Sequence, residues 1–387
     1  MITYHELGGG KRLCDIVFAG SHDAGITSGD ANVQTQDLDI FKQAQAGVRL
    51  FDLRIAATKS STKSASPVLL KAVHADPRVM QQKEKTGKPV FDLGGRKANV
   101  TTTKLPVEGG FGMRLVDMLQ QAKLFIKYHP SEFLLLKFDK CTNWTIIAEI
   151  CARELGTALF AGTGSLNEKT LDQLKQHVVV LFTQNGVDEV ANQGYISTTG
   201  IWGCKRLDDG TGYNSGYDGL QYVGKGGTDP FDGNSDMHKI ASNIETQGGL
   251  MRIGARNSDP EVMGMMYWTT TGLKRSIRER NSTMWGPDNR PTLLTDLWMA
   301  GFGAAIESRL PTYVVSTDYA NGVALKVFMP NIVMIDFADI DKGKFIFELN
   351  TKASTELTQT AIKIDQAHQL TQQGQGGVRR KQRPPLL

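Results

Sequence analysis

The sequence predicts an α/β fold, a (β/α) barrel on a parallel sheet, from three observations. Its apolar runs are near-continuous and not strictly alternating, as in strands buried on both faces. Helical patterns lie between several of them. Seven such runs fall within about 340 residues, the scale of one large barrel.

The runs are "CDIVFAG" (14–20), "VRLFDLRI" (48–55), "VLLKAVH" (68–74), "FLLLKFD" (133–139), "VVVLFTQ" (178–184), "MGMMYWT" (263–269) and "NIVMIDF" (331–337). Between the first two, "TQDLDIFKQAQAG" sets Leu38, Phe41 and Ala44 at helical spacing, and Gly47 can close the helix. "GFGMRLVDMLQQAKLFIKYHPSE" carries Leu115, Met118, Leu119 and Phe125 on one face and stops at Pro130. "TNWTIIAEICARELGTALF" and "TDLWMAGFGAAIESRL" predict two more helices. Residues 83–110 and 185–262 are rich in turn-forming residues and read as long loop insertions on a single barrel unit, 1–350. The remainder, 351–387, reads as an extension, disordered from about residue 371.

Composition narrows the function. Of 387 residues, 22% are charged and the net charge is +4, much of it in the terminal "VRRKQR", so the body is nearly neutral. No basic stripe with interleaved aromatics marks a nucleic-acid binder. The four cysteines, Cys14, Cys141, Cys151 and Cys204, are too scattered for a disulfide framework or a zinc site. "MITYHELGGGKRL" lacks an apolar stretch of signal-peptide length, and no run of about 18 apolar residues occurs. A soluble monomer is expected; if it leaves its cell, it does so by a signal-independent route, or a signal has been removed.

Polar residues at strand ends break the apolar pattern. His22 and Asp23 follow the first run in "VFAGSHDAG". Asp52 and Arg54 share one face of the second at spacing two. His74 ends the third, Asp139 the fourth, and Asp336 lies near the end of the last. Each has an ordinary structural reading: an ion pair for Asp52 and Arg54, a turn cap for Asp336. A barrel, however, gathers consecutive strand ends at one mouth, where active sites lie. Two histidines oriented by carboxylates can act as general base and general acid, and an arginine can neutralise a phosphate. That set suits intramolecular phosphodiester cleavage. No P-loop is present, and "SHDAG" is not a nucleophile elbow. His5, His129, His177, His238 and His368 are assigned no role.

"VFAGSHDAG", "FKQAQAGVRLFDLRI" and "LLKAVHA" together resemble the X-domain of bacterial phosphatidylinositol-specific phospholipase C. "SEFLLLKFD", "MMYWTTTG" and "PNIVMIDF" follow in the family's order, so the likeness spans residues 10–345. It implies a distorted, incompletely closed TIM-like barrel. It also implies cleavage of phosphatidylinositol at a phospholipid membrane surface to diacylglycerol and a cyclic inositol phosphate. By the same likeness His22 is the base, oriented by Asp336, and His74 is the acid, assisted by Asp23 with Asp52 nearby. Arg54 holds the phosphate in place of a metal, so no cofactor is expected. The alternative is a calcium ion gathered by Asp23, Asp52 and Asp139, since Asp139 stands where metal-independent relatives tend to have lysine. Ala75 follows His74 where the family usually has glycine, and 185–262 offers no assignable head-group residue. Tyr267 and Trp268 are candidates for ring stacking or membrane contact, or for the strand core. The small residues around His22 would let a phosphate approach the turn. Two other readings are the same chemistry on another phosphodiester and a non-catalytic lipid-binding module.

Overall fold

In the computed structural model the first two runs become β1 (Phe18–Ser21) and β2 (Val48–Leu53), every residue of both buried. The structure describes residues 1–60, 66–75, 81–105, 109–207, 211–224, 226, 235–249, 261–269, 275–286 and 331–351. Helix α1 (Ile40–Gln45) joins the two strands, capped by the Asp39 carboxylate, which accepts from Lys42 N–H.

One residue after β2 the chain leaves the barrel. β3 (Ile55–Lys59), β4 (Val68–His74), β5 (Gln81–Pro89), β6 (Lys97–Lys104) and β7 (Gly110–Arg114) make a separate sheet in the order β5-β6-β3-β4-β7. Its pairings are antiparallel except β3–β6. The run 68–74, expected in the barrel, therefore belongs to this sheet, and 83–110, expected as a loop, supplies most of its other strands. A hairpin return explains both. β4 folds straight back on β3, which leaves no room for the crossover helix that a parallel neighbour requires.

Helix α2 (Leu115–Tyr128) brings the chain back to the barrel at β8 (Leu134–Phe138). Then come α3 (Trp144–Leu155), α4 (Leu171–Leu174), β9 (Val178–Thr183), α5 (Gln184–Val190), β10 (Ile201–Arg206) and β11 (Gly219–Val223). Helix α6 (Asp236–Gly249), β12 (Met263–Trp268), α7 (Ile277–Trp285) and β13 (Ile332–Ile335) follow, and residues 340–351 are helical. Segment 185–262 thus holds two barrel strands, where long loops were expected. They are short and tightly placed: Gly203 pairs with Gly219, and a Cβ on Gly219 would lie 2.2 Å from the Gly203 carbonyl oxygen. The expected helix at 295–310 and the tail from residue 352 lie outside the described residues.

The eight barrel strands pair in parallel in the order β1-β2-β8-β9-β10-β11-β12-β13, and β13 returns to β1. The ring closes, in contrast to the incomplete barrel implied by the resemblance, because β1 has a strand on each side. Its thinnest seam is β11–β12, with two paired positions. Above them two buried side chains of α6 replace a strand. Asn243 donates to the carbonyls of Tyr267 (3.0 Å) and Thr269 (2.8 Å), and Gln247 accepts from Tyr267 N–H (2.8 Å).

Alternation sorts the residues into two cores. Phe18, Leu50, Leu135, Val179, Trp202 and Met334 pack inside the ring. Ala19, Phe51, Leu136, Val180 and Val333 pack outward with Leu119, Phe125 and Ile147 of the helices. Successive inward positions beyond this apolar plug point to the C-terminal mouth.

Candidate active site

At that mouth the inward face turns polar in register. Leu50 is followed by Asp52, Leu135 by Lys137, Met265 by Tyr267 and Met334 by Asp336. The strands thus deliver side chains by period-two placement. β1 adds His22, whose N–H donates to the Ile335 carbonyl (3.0 Å). The return strand β4 adds His74 from the side sheet, held there by Val73 N–H donating to the Arg54 carbonyl (2.9 Å).

Asp23 joins the set together. Its Oδ2 lies 2.7 Å from His74 Nδ1 and 3.7 Å from His22 Nε2. Its Oδ1 lies 3.0 Å from Arg54 Nε, an ion pair whose atoms are out of line for a hydrogen bond. His22 Nδ1 is 3.0 Å from Asp336 Oδ1, and Arg54 Nη2 is 3.5 Å from His22 Nε2. The Asp23 side chain is fully buried, whereas those of Arg54 and His74 are 16% and 17% exposed, so these two and not the carboxylate face the opening of the mouth. With both Nδ1 atoms donating to carboxylates, both Nε2 atoms are left to move a proton.

Burial opposes charge on His22 and Asp23, and their neighbours decide the outcome. For His22, Asp23 and Asp336 outweigh burial and raise the pKa. For Asp23, Arg54 and the two histidines outweigh burial and hold the carboxyl far below its usual range. Asp23 also has φ of +43°, a left-handed conformation that costs a non-glycine residue about 1–2 kcal/mol. Phe337, directly after Asp336, has φ of +48°. Both turns that present the histidine–carboxylate pair are strained.

Below this layer Lys137 Nζ lies 2.6 Å from Asp52 and 3.6 Å from Asp139, with Lys137 and Asp52 both buried. Burial disfavours the ammonium, but Asp52 more than offsets it, and Lys137 stays charged. Ligand atoms of His22, Asp23 and Asp52 all lie within 4.8 Å of one another, close enough for a metal ion. The set does not fit calcium, because Arg54 already neutralises Asp23 and Lys137 already neutralises Asp52. Lys137 lies two positions before Asp139 on the same face, so Asp139 too has a cation within reach.

Among solved structures, the chain is similar to a phosphatidylinositol-specific phospholipase C from Listeria monocytogenes. The identity is 14%, over 90% of this chain and 98% of that one, with a TM-score of 0.46. The Staphylococcus aureus phosphatidylinositol-specific phospholipase C gives 16%, 88% and 95%, with a TM-score of 0.48. A calcium-dependent phosphoinositol-specific phospholipase C from a Pseudomonas species gives 12%, 68% and 85%, with a TM-score of 0.39. All three are enzymes of the kind that the motifs of this sequence resemble. Identities this low speak to fold alone, and the ring of strands establishes the fold without them. No protein-family model matches the chain, and neither does any curated protein.

All six expected residues meet at the mouth. His22, Asp23, Arg54, His74 and Asp336 form one network, and Asp52 lies beneath it with Lys137. Of the two aromatic candidates, Tyr267 belongs to the site. Its ring stands edge-on to His22 at 6.4 Å, and burial pushes its hydroxyl pKa up to about 12. Trp268 faces outward and donates to the Met284 carbonyl, so it is core. Gly25 of "SHDAG" is required by packing. A Cβ on Gly25 would lie 2.6 Å from Ala72 Cβ and from Met118 Sδ. Lys137 was not among the residues expected at strand ends, although a lone charge inside "FLLLKFD" in phase with Asp139 was a readable signal.

Lys137→Ala should cost about 3–5 kcal/mol in urea denaturation, because it strands a buried carboxylate. Lys137→Met combined with Asp52→Leu should recover most of that loss.

Proposed function

We propose that this protein is a phosphodiesterase that cleaves phosphatidylinositol or a related inositol phospholipid to diacylglycerol and a cyclic inositol phosphate. One observation carries the reading. Two histidines, each oriented through Nδ1 by a carboxylate, flank an exposed arginine edge at the barrel mouth. His22 Nε2 takes the proton of a hydroxyl beside the phosphate, and that oxygen bonds to phosphorus. The bond to the diacylglycerol oxygen breaks, and His74 Nε2–H returns a proton to it. Arg54 holds the phosphate oxygens as negative charge builds on them. The head-group hydroxyl is the nucleophile, so no serine or cysteine is needed.

The reaction proceeds without metal, since Arg54 and Lys137 supply the positive charge at the carboxylates where calcium would sit. The substrate is taken from a membrane surface. No helix among the described residues is long and apolar enough to cross one. Residues 55–104 carry ten Lys and Arg against three Asp and Glu, in a chain of net charge +4. β3 continues from the end of β2, so Lys59 lies about 15 Å beyond Arg54 at strand rise. β6 runs parallel to β3 with Thr102 beside Ala57, which sets Lys104 level with Lys59. Both lysines are exposed, on the side from which a lipid would enter.

Phosphorus NMR of phosphatidylinositol micelles should show a cyclic inositol phosphate, with equal rates with and without a calcium chelator. His22→Ala and His74→Ala should each lower kcat at least about 1,000-fold with the fold intact. Turnover near wild type in both variants, or none by the wild type, would overturn the reading.

The raised pKa of His22 sets the acid limb of kcat/KM. The base must be neutral, so that limb should have its midpoint above the ordinary value of about 6.5. The same shift stabilises the folded state at low pH, and the benefit is lost as pH rises through the folded pKa. Asp336→Asn should move the limb downward, and a wild-type limb at or below 6.5 would contradict the assignment.

Lys59→Glu and Lys104→Glu should each weaken binding to anionic vesicles roughly fivefold, from about 1 kcal/mol per basic residue near a charged surface. Turnover of a monomeric soluble substrate should not change. Unaltered vesicle binding by the double variant would remove the side sheet from the contact.

A further inference from the structure

We infer that Thr35 and Gln36 are positioning residues, a polar clasp that holds the His22–Asp23 turn against the Asp336–Phe337 turn; this rests on the proposed phosphodiesterase reading. Both side chains are fully buried. The helical pattern read from position 35 onward begins only at Ile40, and the residues before it do something else.

Gln36 spans the two catalytic turns. Its Nε2 donates to the carbonyls of His22 (2.9 Å) and Ile335 (3.2 Å), and its Oε1 accepts from Ala338 N–H (2.9 Å). Thr35 touches each strained residue. Its hydroxyl donates to the Asp23 carbonyl (2.9 Å), and its own carbonyl accepts from Phe337 N–H (2.7 Å). The two residues with left-handed backbone at the site, Asp23 and Phe337, thus share one neighbour. A strained turn persists only where its surroundings over-determine it.

A second tie reinforces the clasp from outside. Asp37 pairs with Arg278 of α7 through both carboxylate oxygens, at 2.5 and 2.9 Å, and that guanidinium stacks on Phe337 at 4.0 Å. Both ends of this pair are about half exposed, so it adds little alone. The buried amide and hydroxyl carry the geometry. They fix the backbones on either side of the His22 Nδ1–Asp336 hydrogen bond, and with them the direction of His22 Nε2.

Two variants and one spectroscopic signal test this. Gln36→Leu removes all three side-chain bonds. Thr35→Val keeps the shape and removes one donor, and it should fold even if Gln36→Leu does not. The signal is the low-field proton of His22 Nδ1–H, identified by its loss in Asp336→Asn and read without substrate. In Thr35→Val we expect kcat to fall roughly tenfold to a hundredfold, KM to stay within about twofold, and the low-field proton to move upfield or broaden away. Thr35→Ser should restore both. Wild-type kcat and an unmoved proton in folded Thr35→Val would overturn the proposal. So would a kcat loss that vanishes on assay well below Tm, which would make Thr35 merely structural. A wild-type protein with no turnover would sink the phosphodiesterase reading, while the proton signal would still test the clasp.

Discussion

The site depends on one buried carboxylate. Asp23 answers to three cationic or protonatable groups from three elements: His22 on its own turn, Arg54 at the end of β2 and His74 at the end of β4. A carboxylate with no exposure is tolerable only where positive charge surrounds it. Remove any partner and the others lose the reference that sets their spacing. The side sheet is therefore part of the site. Its return strand brings His74 back to β2, and its last strand packs on the first turn, with Met113 N–H donating to the Gly25 carbonyl (2.8 Å). A Cβ on Gly112 would sit 2.1 Å from that same carbonyl oxygen, so the sheet and the turn meet backbone to backbone.

Beneath Asp23 the barrel lumen solves a related problem. Asp52 faces inward by alternation, where no water shell can serve it, and Lys137 on the neighbouring strand meets it at 2.6 Å. β2 and β8 are in register there, Asp52 opposite Lys137. The cation is thus set by strand pairing, with little freedom to move. Arg54, one layer higher, keeps an exposed edge. The two cations differ in place: Lys137 is closed into the lumen, and Arg54 reaches the opening of the mouth.

The β11–β12 seam belongs to the same logic. Tyr267 stands beside His22 at the point where β12 has run past β11, and Asn243 and Gln247 hold that side of the backbone. Side-chain amides hold the backbone of Tyr267, just as the Gln36 amide bonds the backbone of His22. Both cases use buried amides because each can donate and accept at once.

Much of this was legible in one dimension. Near-continuous apolar runs marked six of the eight barrel strands, because burial on both faces leaves its trace in composition. The same runs made His22, Asp23, Asp52, Arg54, His74 and Asp336 conspicuous as polar exceptions at strand ends. β10 and β11 escaped notice because their close pairing depends on Gly203 and Gly219, which read as turn residues until a partner strand is seen. The strand bearing His74 looked like a barrel strand, since apolar content reports burial and is silent about pairing direction. Lys137 and the Thr35–Gln36 clasp needed the tertiary structure for a different reason. Their roles include contacts across 85 and about 300 positions of sequence, and no local period encodes which distant backbone a buried lysine or glutamine will meet. Sequence alone determined which residues are buried and which are chemically out of place, because those follow from side-chain hydrophobicity and spacing. Strand pairing decided which of them touch, because contact depends on register and closure of the ring.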